Sequence, residues 1–132
     1  MVSKAVTINW KRFIIGDDDQ QIRRLLRRML EQADYTAIEA ANGKEAIKQF
    51  DLHQPDVVIT DIFMPEKEGI ETIIELKQND PHVKIIAISG GGKISPTNYL
   101  HLAEKIGAIT TLEKPIGRDQ LLSAVNRALS NR

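Results

Sequence analysis

Acidic side chains follow two short apolar runs of the chain, and these are the residues that could do chemistry. Asp61 follows the run Val57-Val58-Ile59-Thr60, and Asp17-Asp18-Asp19 comes just after Phe13-Ile14-Ile15. Short apolar runs of this kind are typical of buried strands. Pro65 comes soon after Asp61 and cannot continue a strand or a helix interior. We therefore predict that both groups of carboxylates lie at strand ends, where open α/β sheets place their sites.

If the two strands are neighbours, at least three carboxylates meet in one small pocket. Two carboxylates about 4 Å apart repel by roughly 4 kcal/mol at an effective dielectric of about 20. They must therefore hold protons or share a cation. Oxygen ligands suit a hard ion, and Mg²⁺ typically takes one or two carboxylates plus waters and a phosphate. A divalent ion at a strand end favours phosphoryl transfer.

A simpler interpretation of the acidic triplet is that it only begins a helix, where negative charge is favourable. Asp19 fits that role as an N-cap. Asp17 and Asp18 are not needed for it, and Asp61 is followed by a turn that contains proline rather than by a helix. The helix-start interpretation therefore leaves three carboxylates without an explanation.

Two further polar residues end apolar runs. Ser89 follows Lys84-Ile85-Ile86-Ala87-Ile88, and Lys114 directly precedes Pro115. A hydroxyl and an ammonium at the same sheet edge can bind phosphoryl oxygens. Alone, Ser89 is equally well a turn residue and Lys114 a solvated cation. Their occurrence at the ends of two strands of one sheet favours a shared site.

The segments that must position these residues alternate between strand and helix patterns. Predicted strands cover Arg12 to Gly16, Thr36 to Ala40, Val57 to Thr60, Val83 to Ser89 and Ile109 to Glu113. Helices are predicted over Gly43 to Gln54, Glu68 to Asn79, Thr97 to Ile106 and Arg118 to Asn131, after a first helix whose apolar stripe is Ile22, Leu25, Leu26, Met29 and Leu30. Core-facing residues of the third and fourth helices include Ile74 and Leu102. Strict alternation predicts a doubly wound α/β fold with five parallel strands and five helices.

The composition sets the outer limits of function. The chain has 132 residues, about one domain, and Lys plus Arg equals Asp plus Glu at 18 each. This balance does not indicate direct nucleic-acid binding. There are no cysteines, which excludes disulfides, thiolate metal sites and a cysteine nucleophile. No signal peptide and no membrane span of about 20 apolar residues is apparent, so we expect a cytoplasmic protein. Residues 1–10 are expected to form a leader and residues 11–132 the domain.

From Lys11 to Leu129 the chain resembles the receiver domain of bacterial two-component response regulators. The features that carry the resemblance are, in chain order, Asp17-Asp18, the segment Asp61-x-x-Met64-Pro65-x-x-x-Gly69, Ser89 and Lys114-Pro115. The resemblance implies a flavodoxin-like fold with strand order 2-1-3-4-5. It also implies a phosphorelay switch that is a regulatory domain rather than an enzyme.

The resemblance implies a role for each site residue. Asp61 would accept a phosphoryl group from a sensor histidine kinase or a histidine phosphotransfer protein, and an unknown downstream protein would respond. Asp18, Asp61 and the backbone carbonyl of Phe63 would bind Mg²⁺ directly, and Asp17 would act through a water. Ser89 would bind a phosphoryl oxygen, and Lys114 would pair with the phosphoryl group and, beforehand, with Asp61. The Lys114–Pro115 bond is expected to be cis, and Thr111 stands where the family usually has an aromatic residue.

Three other functions remain as alternatives. A Mg²⁺-dependent phosphohydrolase of the haloacid dehalogenase type also forms an aspartyl phosphate, but it needs a second acid at the position that Phe63 holds. A flavodoxin-like electron carrier needs a phosphate loop after the first strand, where Asp17-Asp18-Asp19 would repel the phosphate. The last alternative is a degenerate receiver that no longer takes a phosphoryl group, although the acidic pair, Asp61, Ser89 and Lys114 are all present.

Overall fold

A computed structural model describes residues 11–62, 69–90 and 96–130, without the side chains of residues 96–100. The expected leader, residues 1–10, lies outside the described residues. So does Phe63, whose backbone carbonyl is one of the expected metal ligands. Within the described ranges, no helix combines the length and the apolar character that a membrane crossing requires.

Five parallel strands form one sheet in the order β2-β1-β3-β4-β5. The strands are β1 (Arg12–Gly16), β2 (Thr36–Ala40), β3 (Val57–Asp61), β4 (Lys84–Ser89) and β5 (Thr110–Glu113). The helices that follow them in turn are α1 (Gln20–Gln32), α2 (Gly43–His53), α3 (Gly69–Asn79), α4 (Pro96–Lys105) and α5 (Arg118–Ser130). The flavodoxin-like, doubly wound fold class is therefore confirmed.

Each face of the sheet packs against its own helices, because side chains alternate along a strand. Phe13 and Ile15 of β1 share a core cluster with residues of α1 and α5. Ile14 points to the opposite face and belongs to a second cluster with residues of α2, α3 and α4. All five residues of β3 are buried. This central strand is covered on both faces, as expected for a strand so rich in Val and Ile.

The ends of the elements fall within about one residue of the predicted bounds wherever the structure describes them. β3 extends to Asp61, because Asp61 still pairs with Ile88 of β4. Val83 does not begin β4 but belongs to a turn, in which its N–H donates to the carbonyl of Asp80 at 3.0 Å. α4 starts one residue early, at Pro96, where a helix tolerates proline because the first N–H has no partner.

The predicted N-cap at Asp19 is confirmed, and a glycine follows the end of α4. Asp19 is the N-cap of α1, and its Oδ1 accepts a hydrogen bond from the N–H of Gln21 at 2.9 Å. After α4 ends at Lys105, Gly107 adopts a φ of 122°. A residue with a side chain rarely adopts this conformation. The start of α1 matters for the site, since it fixes where the chain leaves β1.

Candidate functional site

Carboxylates from two strand ends meet at the carboxyl edge of the sheet. β1 and β3 are adjacent and parallel, with Gly16 opposite Thr60, so the residues that follow emerge side by side. Asp17, Asp18 and Asp61 each offer an oxygen within 4.8 Å of the others. Asp17 is fully buried and Asp61 is 4% exposed, whereas Asp18 is exposed. The acidic pocket predicted from the sequence is present, and Asp18 forms its face towards solvent.

Lys114, directly after β5, joins two of these carboxylates. Its Nζ donates a hydrogen bond to Asp61 Oδ2 at 2.8 Å. The same Nζ lies 2.8 Å from Asp17 Oδ2 in an ion pair. The backbone N–H of Lys114 donates to the carbonyl of Ser89 at 2.8 Å, which ties the end of β5 to the end of β4. Pairing with Asp61 was expected, whereas the equal contact with Asp17 was not. The Lys114–Pro115 bond is cis, as predicted.

Gly90 leaves room for the lysine. A Cβ added to Gly90 would lie 3.3 Å from Cδ of Lys114 and 3.8 Å from its Nζ. A larger side chain at this position would therefore push the lysine away from its partners. The small residue after Ser89 is part of what directs the ammonium into the pocket.

The charges in the pocket shift two pKa values. Burial raises the pKa of the Asp17 carboxyl, although contacts with Lys114 and with the Asp19 N–H favour its charged form. For Lys114, burial disfavours the ammonium, but its pairing with the carboxylates of Asp17 and Asp61 outweighs burial and the pKa rises. Three carboxylates face one ammonium, so two formal negative charges remain uncompensated by these groups.

The residues present fit a divalent cation such as Mg²⁺. All side-chain donors in the cluster are carboxylate oxygens, which hard cations prefer. Within the described part of the chain, Asp17 Oδ2 is buried and receives no well-directed hydrogen bond despite its ion pair with Lys114. A buried carboxylate oxygen without a hydrogen bond is costly. A cation bound beside Asp17 Oδ2 would remove that cost and would balance the surplus negative charge.

Ser89 brings a buried hydroxyl to the same edge. It ends β4, is 1% exposed, and its Oγ finds no hydrogen-bond partner among the residues that the structure describes. Leaving a buried polar group without a partner costs about 1–3 kcal/mol. The hydroxyl is therefore available to a ligand that enters the pocket.

Replacing Ser89 by alanine should leave the protein at least as stable as wild type, with a gain of up to about 1 kcal/mol. The change removes a buried hydroxyl that has no hydrogen-bond partner among the described residues, so the cost of burying it disappears. Urea unfolding measures the effect. A matched control is Thr60→Val, because the buried Thr60 Oγ1 does have a partner, the backbone oxygen of Asp61 at 3.1 Å. That control should lose about 1 kcal/mol, and an equal loss for Ser89→Ala would show that its hydroxyl is bonded.

Arg23 contacts the acidic pair, and the sequence did not reveal it. Arg23 is not part of the apolar stripe of α1, yet its side chain is only 12% exposed. Its Nη1 donates to the backbone oxygen of Asp17 at 2.7 Å, and its Nε donates to Glu39 Oε1 at 3.1 Å. No spacing in the sequence signals this contact, since it depends on the end of β2 lying beside the end of β1.

Gly69 supports the other side of the pocket from the start of α3. Its N–H donates to the carbonyl of Ile62 at 3.0 Å. A Cβ at this position would overlap the backbone oxygen of Asp61 and would lie 2.5 Å from Cα of Ile62. The glycine of the Asp61-to-Gly69 segment is thus required because two backbones approach closely.

Comparison with known proteins agrees with this geometry. The family model of response regulator receiver domains matches residues 13–126. The chemotaxis protein CheY of Listeria monocytogenes is 33% identical over 118 residues, which are 89% of this chain and 97% of that protein. The sporulation initiation phosphotransferase F of Bacillus subtilis is 29% identical over 119 residues, 90% of this chain and 94% of that one.

Solved structures agree as well. A response regulator receiver domain protein from Clostridium thermocellum superposes with a TM-score of 0.84 at 30% identity, covering 91% of this chain and 94% of the other. The sequence match and the structural match both extend over nearly the whole length of these relatives. The chain therefore belongs to the response regulator receiver domains of two-component signalling.

Proposed function

We propose that Asp61 accepts a phosphoryl group from a phosphohistidine of a sensor histidine kinase or a histidine phosphotransfer protein. The observation that carries this proposal is the position of the Asp61 carboxylate at the end of β3. It lies among the oxygens of Asp17 and Asp18, and its Oδ2 is 2.8 Å from the Lys114 ammonium. A nucleophilic carboxylate beside a cation and a cation-binding cluster is suited to phosphoryl transfer.

In the proposed step, a carboxylate oxygen of Asp61 attacks the phosphorus atom. A P–O bond forms as the P–N bond to the imidazole breaks, and the leaving nitrogen keeps the electron pair and takes a proton from solvent. Lys114 shifts from the carboxylates towards the new phosphoryl oxygens. Ser89, whose buried hydroxyl has no partner among the described residues, donates a hydrogen bond to one of them.

Asp17, Asp18 and Asp61 are the residues that would hold Mg²⁺, with Asp17 acting through a water and the carbonyl of Phe63 as a further ligand. When bound, the ion supplies positive charge against the carboxylates and the incoming phosphoryl oxygens. The surplus of carboxylates over ammonium in the pocket supports this assignment.

Phosphorylation would then act as a switch. The group adds roughly two negative charges, and Lys114 and Ser89 reorganise around it. Ser89 is the last residue of β4, so its movement is passed to the connection that leads into α4. We place the change in affinity for a downstream protein on this connection and on α4, since Thr111 gives β5 no aromatic side chain to move.

Incubation with acetyl phosphate and Mg²⁺ should add about 80 Da to the wild-type chain, by the mass of one phosphoryl group. Asp61→Asn should show no addition, because an amide is a poor nucleophile. Intact-mass spectrometry measures both. Asp51→Asn, an exposed aspartate on α2, is the matched control and should label like wild type. An unlabelled wild type, or equal labelling of Asp61→Asn, would refute the proposal, and steady turnover of a phosphate monoester would favour the phosphohydrolase instead.

A further inference from the structure

Arg23 is held between the loop after β1 and the end of β2. Its Nη1 donates to the backbone oxygen of Asp17 at 2.7 Å, and its Nε donates to Glu39 Oε1 at 3.1 Å. The guanidinium is planar and rigid, so two bonds on two of its nitrogens fix its orientation. The side chain is 12% exposed, and that of Glu39 is 21% exposed. Arg23 is therefore an ordered, mostly covered group rather than a solvated surface charge.

The oxygen that Arg23 binds belongs to the peptide bond joining Asp17 to Asp18. A peptide unit is planar, so fixing its oxygen restrains ψ of Asp17 and φ of Asp18. These two angles set the directions in which the two carboxylates point. The N–H of Asp17 also donates to the carbonyl of Ala40, at 3.1 Å. The acidic pair is thus anchored on both sides to the end of β2, directly through Ala40 and through Arg23 by way of Glu39.

We infer that Arg23, held by Glu39, is a positioning residue that orients the Asp17–Asp18 peptide and thereby prepares the two carboxylates to bind a divalent cation. The inference rests on the proposed metal site. The direction in which Mg²⁺ affinity changes when Arg23 is neutralised separates this positioning role from a simple charge effect. A cation beside a metal site repels the metal, so if Arg23 acted only by its charge, a neutral residue there would tighten binding. If Arg23 positions the peptide, the same change must weaken binding.

Arg27 provides a matched control on the same helix. Its Nη1 lies 3.2 Å from Glu39 Oε2 and its Nε 3.0 Å from Glu31 Oε2, and its side chain is 45% exposed. Arg27 thus shares Glu39 with Arg23, and within the described ranges its guanidinium bonds to these two glutamates and not to Asp17. Removing Arg27 changes the local charge by the same amount and leaves the Asp17 oxygen bonded.

The experiment is a Mg²⁺ titration of the wild type and of each variant, followed by amide NMR shifts around Asp18 and Asp61. Arg23→Met, which keeps the apolar stem, should bind Mg²⁺ about tenfold more weakly, the low end of the cost of losing an outer-shell partner. Arg23→Lys, whose single ammonium cannot bridge both partners, should lose about threefold. Arg27→Met should stay within about twofold of wild type. Urea unfolding in metal-free buffer tests the fold of each variant separately.

Each outcome decides one point. If Arg23→Met binds as tightly as wild type or more tightly, or if Arg27→Met weakens binding equally, the positioning role is wrong. If the wild type itself shows no saturable shifts, the proposed metal site fails rather than this inference. Should Arg23→Met fail to fold, Arg23→Lys carries the test, because it keeps the positive charge and cannot bridge both partners. Unchanged affinity in Arg23→Lys would then overturn the inference.

Discussion

Replacing Lys114 by methionine should lower the free energy of unfolding by about 3 kcal/mol in metal-free buffer, the low end of the cost of breaking a buried ion pair. The variant leaves Asp17, which is fully buried, and Asp61, which is 4% exposed, facing each other without the ammonium that lies 2.8 Å from both. The partly exposed position of Lys114, 21%, keeps the expected loss at the lower end.

Excess Mg²⁺ should restore most of the stability that Lys114→Met loses. A ligand that binds only the folded state stabilises it by about 2.7 kcal/mol at a hundredfold excess over its dissociation constant. Mg²⁺ bound at the proposed site would compete with Lys114 for the same carboxylates in the wild type, so the gain in stability on adding Mg²⁺ should be larger in Lys114→Met than in wild type. Urea unfolding with and without MgCl₂ measures both gains.

Lys48→Met is the control for this prediction, because Lys48 is exposed on α2 away from the pocket. It should change stability by less than about 0.5 kcal/mol, with the same response to Mg²⁺ as wild type. A loss in Lys114→Met that is equal in the presence and absence of Mg²⁺ would show that the lysine and the ion do not share these carboxylates.

Gly69→Ala should lower the free energy of unfolding by at least about 3 kcal/mol, the upper end of the usual cost of overpacking. The added Cβ would overlap the backbone oxygen of Asp61 and would lie 2.5 Å from Cα of Ile62 and 2.8 Å from the carbonyl carbon of Asp61. These contacts are with backbone, which cannot rotate away as a side chain can. The same displacement moves Asp61, so phosphorylation should slow sharply.

Two other glycines separate stability from site geometry. A Cβ at Gly117 would first meet Gln120 Oε1 at 3.4 Å, an ordinary contact, so Gly117→Ala should unfold like wild type. Gly107→Ala should also destabilise, since Gly107 has a φ of 122° and its Cβ would lie 2.6 Å from Cε of Lys77. Because Gly107 is remote from the acidic pocket, that variant should keep its labelling by acetyl phosphate while folded. Urea unfolding and labelling of all three variants test this, and normal stability of Gly69→Ala would contradict it.

The fold was predictable because strands buried on both faces have short apolar sequences, and polar residues follow them where they end. Asp19 shows that a local signal also located the start of a helix. The apolar stripes of the helices were predicted too wide. Leu25 is 45% exposed, Ile74 40% and Leu102 40%, although all three were expected in the core. How much of a stripe is covered depends on the neighbouring elements, which periodicity alone does not give.

The site was predictable where it depends on strand ends and not where it depends on side chains that cross between elements. Asp17, Asp61, Ser89 and Lys114 were expected at one edge, and parallel strands bring them there. The contact of Lys114 with Asp17 and the contact of Arg23 with the Asp17 carbonyl were not expected. Both come from the relative placement of separate elements, so they appear only once the sheet is assembled.

The most direct test of the central claim is to locate the phosphoryl group. After labelling with acetyl phosphate and Mg²⁺, reduction with borohydride converts an aspartyl phosphate to homoserine, and peptide mass spectrometry identifies the position. Asp61 as phosphoacceptor predicts homoserine at position 61 in the labelled wild type, and none in unlabelled protein treated in the same way. Homoserine at another aspartate, or a phosphoryl group found on a serine or histidine, would contradict it.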